Sequence, residues 1–319
     1  MSEMATMVGV LDVGCFSARL LAVRSGGSLL DPVFNHKRRL RLDRSLDASG
    51  RLREDGVEAV VAAVAEANEV ARRRGVTQLF PLATSSIRDA RNAAEVVERV
   101  RAETGTGLRF LSGQREAELS YLAARRWYGA SAGPLVVVDI GGGTVELAAG
   151  DGEQASFARS LRLGAREMTR VWLSDDVPPA DRVSALRGYA LDRVRTALGE
   201  DEETLRGFRT VGCSKVLRQL ARLAGARPHR DGAAHRLRVE DLRTWIPRLA
   251  MLPASRRAEL PGISRSRARQ VLAGAVVAEA LLTVVEGPAE ICPWSTTQGL
   301  LLSLLDRQVP GTPAHRWVA

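Results

Sequence analysis

The sequence is poor in residue types that mark several common functional classes. Its 319 residues contain only three cysteines, Cys15, Cys213 and Cys292, which lie far apart and are odd in number. This usage is typical of a reduced cytoplasmic protein and argues against a disulfide framework or a cysteine-based zinc site. Aromatic residues make up only 4% of the chain, which argues against a stacking platform for single-stranded nucleic acid.

Long apolar segments and secretion signals are also missing. The longest candidate membrane span, residues 271–285, is interrupted by Gly274 and Glu279 and is shorter than the roughly 18 apolar residues that such a span needs. No basic region followed by an apolar stretch opens the sequence, so we expect no secretory signal. Metal-ligand spacing is absent among the four histidines, His36, His229, His235 and His315. The sequence therefore predicts a cytoplasmic protein of about two domains.

Lysine is nearly absent, whereas arginine is abundant. Only Lys37 and Lys215 are lysines, so 44 of the 46 cationic residues are arginines, and the formal net charge is +9. Arginine pairs with phosphate through two parallel hydrogen bonds, which favours a polyanion partner. However, the arginines are spread along the chain, and a GC-rich genome also favours them. Charge alone therefore leaves a phosphate-rich partner and an ordinary solvated surface as two open interpretations.

An internal repeat with an offset of 127 residues indicates how the chain is organised. The two copies are residues 8–14, VGVLDVG, and residues 135–144, LVVVDIGGGT, each followed by a second apolar segment. Each copy predicts a buried strand that ends in an aspartate, a glycine turn and a returning strand. A duplicated hairpin of this kind predicts an α/β protein with two related domains that face each other.

The remaining segments alternate between helix and strand patterns. Predicted helices cover residues 57–71, 92–104, 114–128, 181–198, 214–224, 239–250, 265–285 and 298–305. Predicted strands cover residues 79–83, 108–111, 157–163, 208–211 and 290–292. The glycine-rich segment 129–133 is the predicted linker, so the expected domains are residues 1–128 and 129–319.

Glycine turns and helix starts provide candidate anion-binding positions. A strand that ends in an aspartate and glycines exposes backbone N–H groups that can bind phosphate oxygens. The second hairpin turn offers Gly141, Gly142, Gly143 and Thr144, and the first offers Gly14, Cys15 and Ser17. The predicted helix starts add Arg88 in one half and Ser214 with Lys215 in the other. Ordinary hairpin turns and serine-capped helices are the alternative interpretations.

Carboxylates near these turns are candidates for metal or acid–base chemistry. Strand alternation puts Glu146 on the same face as Thr144, where it would help hold Mg²⁺ if that face borders the site. An exposed strand glutamate is the alternative. Glu116 lies in the first turn of the helix 114–128, either as a general base or as a residue that stabilises the helix dipole. Glu118 is the competing position, but its neighbours suggest a rim.

Together these motifs resemble the exopolyphosphatase and guanosine pentaphosphate phosphohydrolase (Ppx/GppA) family in its short two-domain form. The resemblance covers almost the whole chain and rests on residues 10–14, 83–90, 111–113 with 116–117, 139–143, 160–165, 212–215 and 291–294. It implies two ribonuclease-H-like domains of the actin-like superfamily, with a Mg²⁺ site in the cleft between them. It also implies hydrolysis of the terminal phosphoryl group of polyphosphate or of guanosine pentaphosphate.

The resemblance also assigns roles to residues of this chain. By motif position, Glu116 is the catalytic base, Asp139 and Glu146 are metal ligands with Asp12 as a third candidate, and Arg88 contacts phosphate. The two hairpin turns become phosphate loops. No specific nucleic-acid or membrane partner is expected, and a homodimer is compatible with the sequence.

Some positions depart from the family pattern. These departures are Cys15 with Phe16 in the first turn, Arg115 in place of a glutamate, and Thr297 with Gln298 in place of an Arg-Glu pair. They motivate a second hypothesis, a non-catalytic sensor of polyphosphate or nucleotide. A sugar or acetate kinase of the same superfamily is a third.

Overall fold

The structure of this chain, a computed structural model, describes residues 6–29, 31–47, 49–225 and 236–306. Contacts divide it into two compact units. The first unit comprises the described residues of Met1–Leu111 and Thr297–Ala319, and the second is Ser112–Thr296. Each unit is built around its own β-sheet.

The first unit contains a four-stranded sheet. Its elements are β1 (Met7–Val13), β2 (Ser17–Arg24), β3 (Phe34–Arg39), α1 (Leu42–Ser45), α2 (Glu54–Arg73), β4 (Gln78–Ala83), α3 (Ser85–Arg88) and α4 (Ala93–Thr104). The strand order is β3-β2-β1-β4. Helix α2 packs on this sheet through Val57, Val60 and Val64, because buried apolar residues recur there at helical spacing.

The second unit contains a six-stranded sheet in the order β7-β6-β5-β8-β10-β9. Its elements are α5 (Gly113–Tyr128), β5 (Leu135–Ile140), β6 (Val145–Gly150), β7 (Phe157–Leu161), α6 (Ala165–Trp172), α7 (Ala180–Leu198), α8 (Asp201–Arg206), β8 (Arg209–Gly212), α9 (Lys215–Leu223), β9 (Arg236–Leu237), α10 (Val239–Ala250), α11 (Ala254–Arg257), α12 (Val271–Val285) and β10 (Ala289–Ile291). A further helix, α13 (Thr296–Asp306), lies almost entirely in the first unit.

Helix α12 forms the centre of the larger core. Apart from Glu279, which pairs with Arg187, its residues are almost all apolar and buried, and it packs against α6, α7 and α10, as expected of a helix with no solvent face. It has only 15 residues, and none of the helices in the described part of the chain is long and apolar enough to cross a membrane. The three cysteines are buried and form no disulfide.

The four strands of the first sheet and the strands β7-β6-β5-β8 of the second share one topology, which confirms the predicted duplication of an α/β unit. In both sheets a central strand pairs antiparallel with the strand that follows it and parallel with a later strand, β4 or β8. The register repeats as well. Asp12 lies opposite Arg19 in the first hairpin, and Asp139 lies opposite Glu146 in the second, so both positions keep the offset of 127 residues.

Some elements differ from the sequence prediction. Strand β3 was not predicted, because its residues 34–39, FNHKRR, are mostly charged and form an edge strand without an apolar face. The predicted strand 108–111 is reduced to a single bridge between Leu82 and Arg109. The helix predicted from residue 265 begins at Val271, since the preceding arginine-rich segment forms turns.

Two further observations concern the predicted linker and the histidines. Helix α5, which the sequence analysis placed before the boundary at residue 128, packs on β5, β6 and β7 and belongs to the second compact unit. His36 is hydrogen-bonded to Glu66 at 2.8 Å. The other three histidines lie outside the described residues.

Candidate active site

The glycine loop, residues 141–143, joins β5 to β6 and is held by the start of α6. The backbone N–H groups of Ala165 and Arg166 donate to the carbonyls of Gly141 and Gly142 at 3.0 and 2.9 Å, and Gly164 donates to Gly143 at 3.0 Å. Because a trans peptide directs its N–H away from its carbonyl, the N–H groups that follow these carbonyls point away from α6. The loop therefore presents successive N–H groups on one side, as an anion site requires.

Gly164 allows this close packing of loop and helix. A Cβ on Gly164 would lie less than 3.0 Å from backbone atoms of Gly142 and Gly143, closer than real side chains come. The two backbones therefore meet without any side chain between them. Neither α6 nor its contact with the loop was predicted from the sequence, although Gly164 belongs to a motif that carried the resemblance.

Two carboxylates lie side by side at the base of the glycine loop. Glu146 on β6 is opposite Asp139 on β5, and its side chain accepts hydrogen bonds from the Ser160 hydroxyl at 3.0 Å and from Thr144. One oxygen of Glu146, Oε2, is 3.9 Å from the position that a Cβ on Gly141 would take. The predicted metal carboxylates and the predicted phosphate loop thus meet in one place.

The electrostatics of this place disfavour three ionised carboxylates. Burial raises the pKa of Glu146 to about 8, and the negative charges of Glu116 and Asp139 contribute to the rise. The carboxylate cluster, defined as Glu116, Asp139 and Glu146, therefore needs a proton or a cation to balance its charge.

Helix α5 brings Glu116 into this cluster. Ser112 caps the helix by accepting a hydrogen bond from the N–H of Arg115 at 3.2 Å. The first turn rests on β7, where a Cβ on Gly113 would lie less than 3.0 Å from Ser160. The same Ser160 hydroxyl binds Glu146, so the close approach at Gly113 places α5 against the carboxylates.

Arg115 and Glu118 form an ion pair at 2.9 Å on the neighbouring face of α5. Both side chains are partly exposed. Arg115, the residue that replaces a family glutamate, is thus paired with Glu118 on its own helix. This arrangement agrees with the interpretation of Glu118 as a rim residue. It also makes Glu118 a suitable control position for Glu116.

The equivalent turn of the first unit has a different charge balance. Burial raises the pKa of Asp12, whereas a hydrogen bond from Thr297, at 3.3 Å, and the positive charge of Arg19 oppose the rise. Gly14 donates to the carbonyl of Ser17 at 2.9 Å, just as Gly141 donates to Thr144. The Cys15 side chain is buried in the apolar core of this unit. A ligand at the turn would therefore contact only the backbone of Cys15.

The two helix starts also correspond to each other. Thr84 is the N-cap of α3 and Ser214 that of α9, where the Ser214 hydroxyl accepts a hydrogen bond from Leu217 at 3.0 Å. Arg88 donates to the carbonyl of Leu111 at 3.1 Å, and Arg218, four residues after Ser214, donates to the carbonyl of Pro293 at 3.3 Å. The sequence analysis did not single out Arg218, although its spacing from the cap matches that of Arg88.

The start of α9 borders the carboxylate cluster. Hydrogen bonding to Cys292 and burial raise the pKa of Cys213, and the negative charge of Asp139 adds to the rise. Ser214 is buried as the helix cap, whereas Lys215 is exposed. In the first unit, Gly14 lies near Thr84, so the turn and the start of α3 are neighbours there too.

The metal-binding capacity of the cluster is limited. Within residues 6–29, 31–47, 49–225 and 236–306, no group of three or more His, Cys, Asp or Glu side chains is arranged to hold a metal ion. Mg²⁺ keeps several water ligands and binds one or two carboxylates together with substrate phosphates. The opposed carboxylates of Asp139 and Glu146 fit this mode of binding, in which water and phosphate complete the shell.

Comparison with known proteins provides independent information. The sequence profile of the Ppx/GppA phosphatase family matches residues 21–308. Exopolyphosphatase 1 of Mycobacterium tuberculosis is 41% identical over 313 residues, which cover 96% of this chain and 90% of that protein. Exopolyphosphatase 2 of the same species is 31% identical over 291 residues, which cover 86% of this chain and 90% of that protein.

A solved structure matches the fold. The exopolyphosphatase from Cytophaga hutchinsonii superposes with a TM-score of 0.80 at 19% identity and covers 95% of this chain and 98% of its own. At this identity the match concerns the fold alone. It shows that the two α/β units of this chain have the fold of that structure.

Proposed function

Because this chain belongs to the Ppx/GppA phosphatase family, we propose that it hydrolyses the terminal phosphoanhydride bonds of inorganic polyphosphate and releases phosphate. The near-complete coverage of relatives named exopolyphosphatase supports this substrate. The structural observation that carries the proposal is the carboxylate cluster beside the glycine loop. A negatively charged phosphoryl group and an activated water need this combination of N–H donors, cation ligands and a base.

The glycine loop binds the terminal phosphoryl group in this proposal. The backbone N–H groups of Gly142, Gly143 and Thr144 donate to its oxygens, on which negative charge is distributed in the transition state. The other predicted phosphate-binding positions stay predictions: Gly14, Cys15, Ser17, Arg88, Gly141, Ser214 and Lys215. Their positions at a turn or at a helix start support that role.

Glu116 acts as the general base. It lies close enough to Glu146 for their charges to interact, so a cation held by Asp139 and Glu146 would leave Glu116 as the carboxylate that accepts a proton from water. Ser112 and Gly113 hold the first turn of α5 in place, which keeps Glu116 next to Asp139 and Glu146.

Mg²⁺ is the proposed cofactor, and Asp139 and Glu146 would hold it. When bound, it neutralises charge on the phosphoryl oxygens. Ser160 orients Glu146 by its hydrogen bond, as partners of metal ligands commonly do. Asp12 stays a third candidate ligand, and a cytoplasmic location and a homodimer stay predictions.

A phosphate-release assay tests the proposal. Purified protein is given long-chain polyphosphate or guanosine pentaphosphate, each with Mg²⁺ and with a chelator. We expect Mg²⁺-dependent release from polyphosphate. Preferential release from the nucleotide would instead favour the second activity of the family. Tight Mg²⁺-dependent binding of polyphosphate without release would establish the sensor hypothesis and exclude hydrolysis.

A further inference from the structure

The side chain of Arg166 lies along the glycine loop. Its Cβ, Cζ and Nη1 atoms are all within 4 Å of the position that a Cβ on Gly142 would take. The backbone N–H of the same residue donates to the carbonyl of Gly142 at 2.9 Å. Both the main chain and the guanidinium of Arg166 are therefore fixed beside the predicted phosphate loop.

Arg166 belongs to a larger group of arginines around one carboxylate. Glu167 pairs with Arg170 at 2.9 Å and with Arg162 at 3.4 Å, and the three guanidinium groups together hold the pKa of Glu167 below its ordinary value against the effect of burial. Three positive charges share one negative charge, so this group keeps a net positive charge. We call Arg162, Arg166, Arg170 and Glu167 the α6 arginine cluster.

The cluster extends from the loop toward solvent. Arg166 is half-buried against Gly142, whereas the side chains of Arg162 and Arg170 are 75% and 68% exposed. Glu167 is only 17% exposed and interacts with all three guanidinium groups at the start of α6. The N–H groups of the loop point away from α6, but the Arg166 side chain reaches Gly142 itself, so a linear polyanion that leaves the loop past Gly142 would meet Arg166 first. Arg162 and Arg170 share Glu167 with it, and each guanidinium matches phosphate oxygens with a planar fork of donors.

We propose that the α6 arginine cluster is a subsite for the phosphoryl groups that follow the terminal one in a polyphosphate chain. The inference rests on the proposed function, because it takes the glycine loop as the terminal phosphoryl site. It assigns chain-length preference to α6: a short substrate reaches Arg166 alone, whereas a long chain also contacts Arg162 and Arg170.

The test compares substrates of different length in charge-matched variants. Arg166→Gln and the double variant Arg162→Gln/Arg170→Gln are assayed with tripolyphosphate and with long-chain polyphosphate. The control is Arg182→Gln/Arg193→Gln, which removes two exposed positive charges from α7 of the same unit. The melting temperature of each variant shows whether it is folded.

We expect Arg166→Gln to raise KM for both substrates about tenfold, the effect of one lost charged hydrogen bond, with little change in kcat. The double variant should raise KM for long chains several-fold more than for tripolyphosphate. The α7 control should leave both KM values unchanged, and Arg166→Lys should restore only part of the affinity.

Three outcomes would overturn the inference. These are unchanged KM values in the cluster variants, an equal rise in the α7 control, which would indicate only a diffuse field, and a fall in kcat alone. Wild-type protein that releases no phosphate would contradict the proposed function, not the subsite. Calorimetric binding of long-chain polyphosphate to the same variants would then decide the subsite by the same comparison.

Discussion

Glu146 lies directly opposite Asp139 in the antiparallel register of β5 and β6. In the duplicated hairpin of the first unit, the position of Glu146 is occupied by Arg19, opposite Asp12. The first hairpin therefore carries an acid and a base that partly balance each other, whereas the second carries two acids. The change at one strand position gives the second hairpin the pair of opposed carboxylates that the proposed cation site requires.

The pH dependence of stability should report on Glu146. Its pKa is 4.5 in the unfolded chain and about 8 in the folded protein. The folded state thus holds a proton that the unfolded chain releases, so this stabilisation is complete below pH 4.5 and is lost as pH rises through 8. The melting temperature of metal-free protein should fall over this range, and Glu146→Gln should flatten the decline.

Added Mg²⁺ offers a second readout of the same group. Because the cation binds the ionised carboxylate, it should raise the melting temperature more above pH 8 than near pH 6. Glu118→Gln is the control and should keep the wild-type profile, since Glu118 lies outside the carboxylate cluster. An unchanged slope in Glu146→Gln would contradict the assigned cause.

Replacement of Glu116 should separate catalysis from folding. We expect Glu116→Gln to lower kcat for phosphate release by at least about 100-fold, the usual contribution of a general base. Glu118→Gln removes the same charge two residues along α5 and should stay within about twofold of wild type, because its ion pair with Arg115 is partly exposed. Similar losses in both variants would argue that α5 as a whole, and not Glu116, is required.

Ser160 should affect the Mg²⁺ requirement. Its hydroxyl is the hydrogen-bond donor to Glu146, so Ser160→Ala should raise the Mg²⁺ concentration for half-maximal activity about tenfold. Ser156→Ala is a matched control, since that hydroxyl donates to the carbonyl of Ala149 at 3.2 Å, near the other end of β6 from Glu146. A Mg²⁺ titration of both variants distinguishes orientation of a ligand from a general loss of stability.

Gly164 should tolerate no side chain. The Cβ of Gly164→Ala would collide with Gly142 and Gly143, so we expect a loss of about 1–3 kcal/mol in the free energy of unfolding and a loss of activity. Gly188→Ala makes the same change within α7, where nothing lies within 4 Å of the new Cβ. It should increase stability by about 0.5–1 kcal/mol. Wild-type phosphate release by Gly164→Ala would show that the loop does not depend on this contact.

The sequence alone determined the duplicated hairpins, most helices and the residues that form the carboxylate cluster. Apolar strands, glycine turns and helix caps are local patterns, and they are visible in a single sequence. Strand β3 escaped prediction because an edge strand of charged residues has no such pattern. The helix predicted from residue 265 was wrong over its first six residues for the opposite reason. Those arginine-rich residues are compatible with a helix, but they form turns.

Only the tertiary structure decided how the site is supported. The contacts of Gly164 with the glycine loop, of Gly113 with Ser160 and of Arg166 with Gly142 join residues that lie 21 to 47 positions apart in the sequence. Each depends on two backbones or side chains that approach closely after the elements pack. Local patterns specify which elements form, but such long-range approaches arise from packing and cannot be derived from spacing.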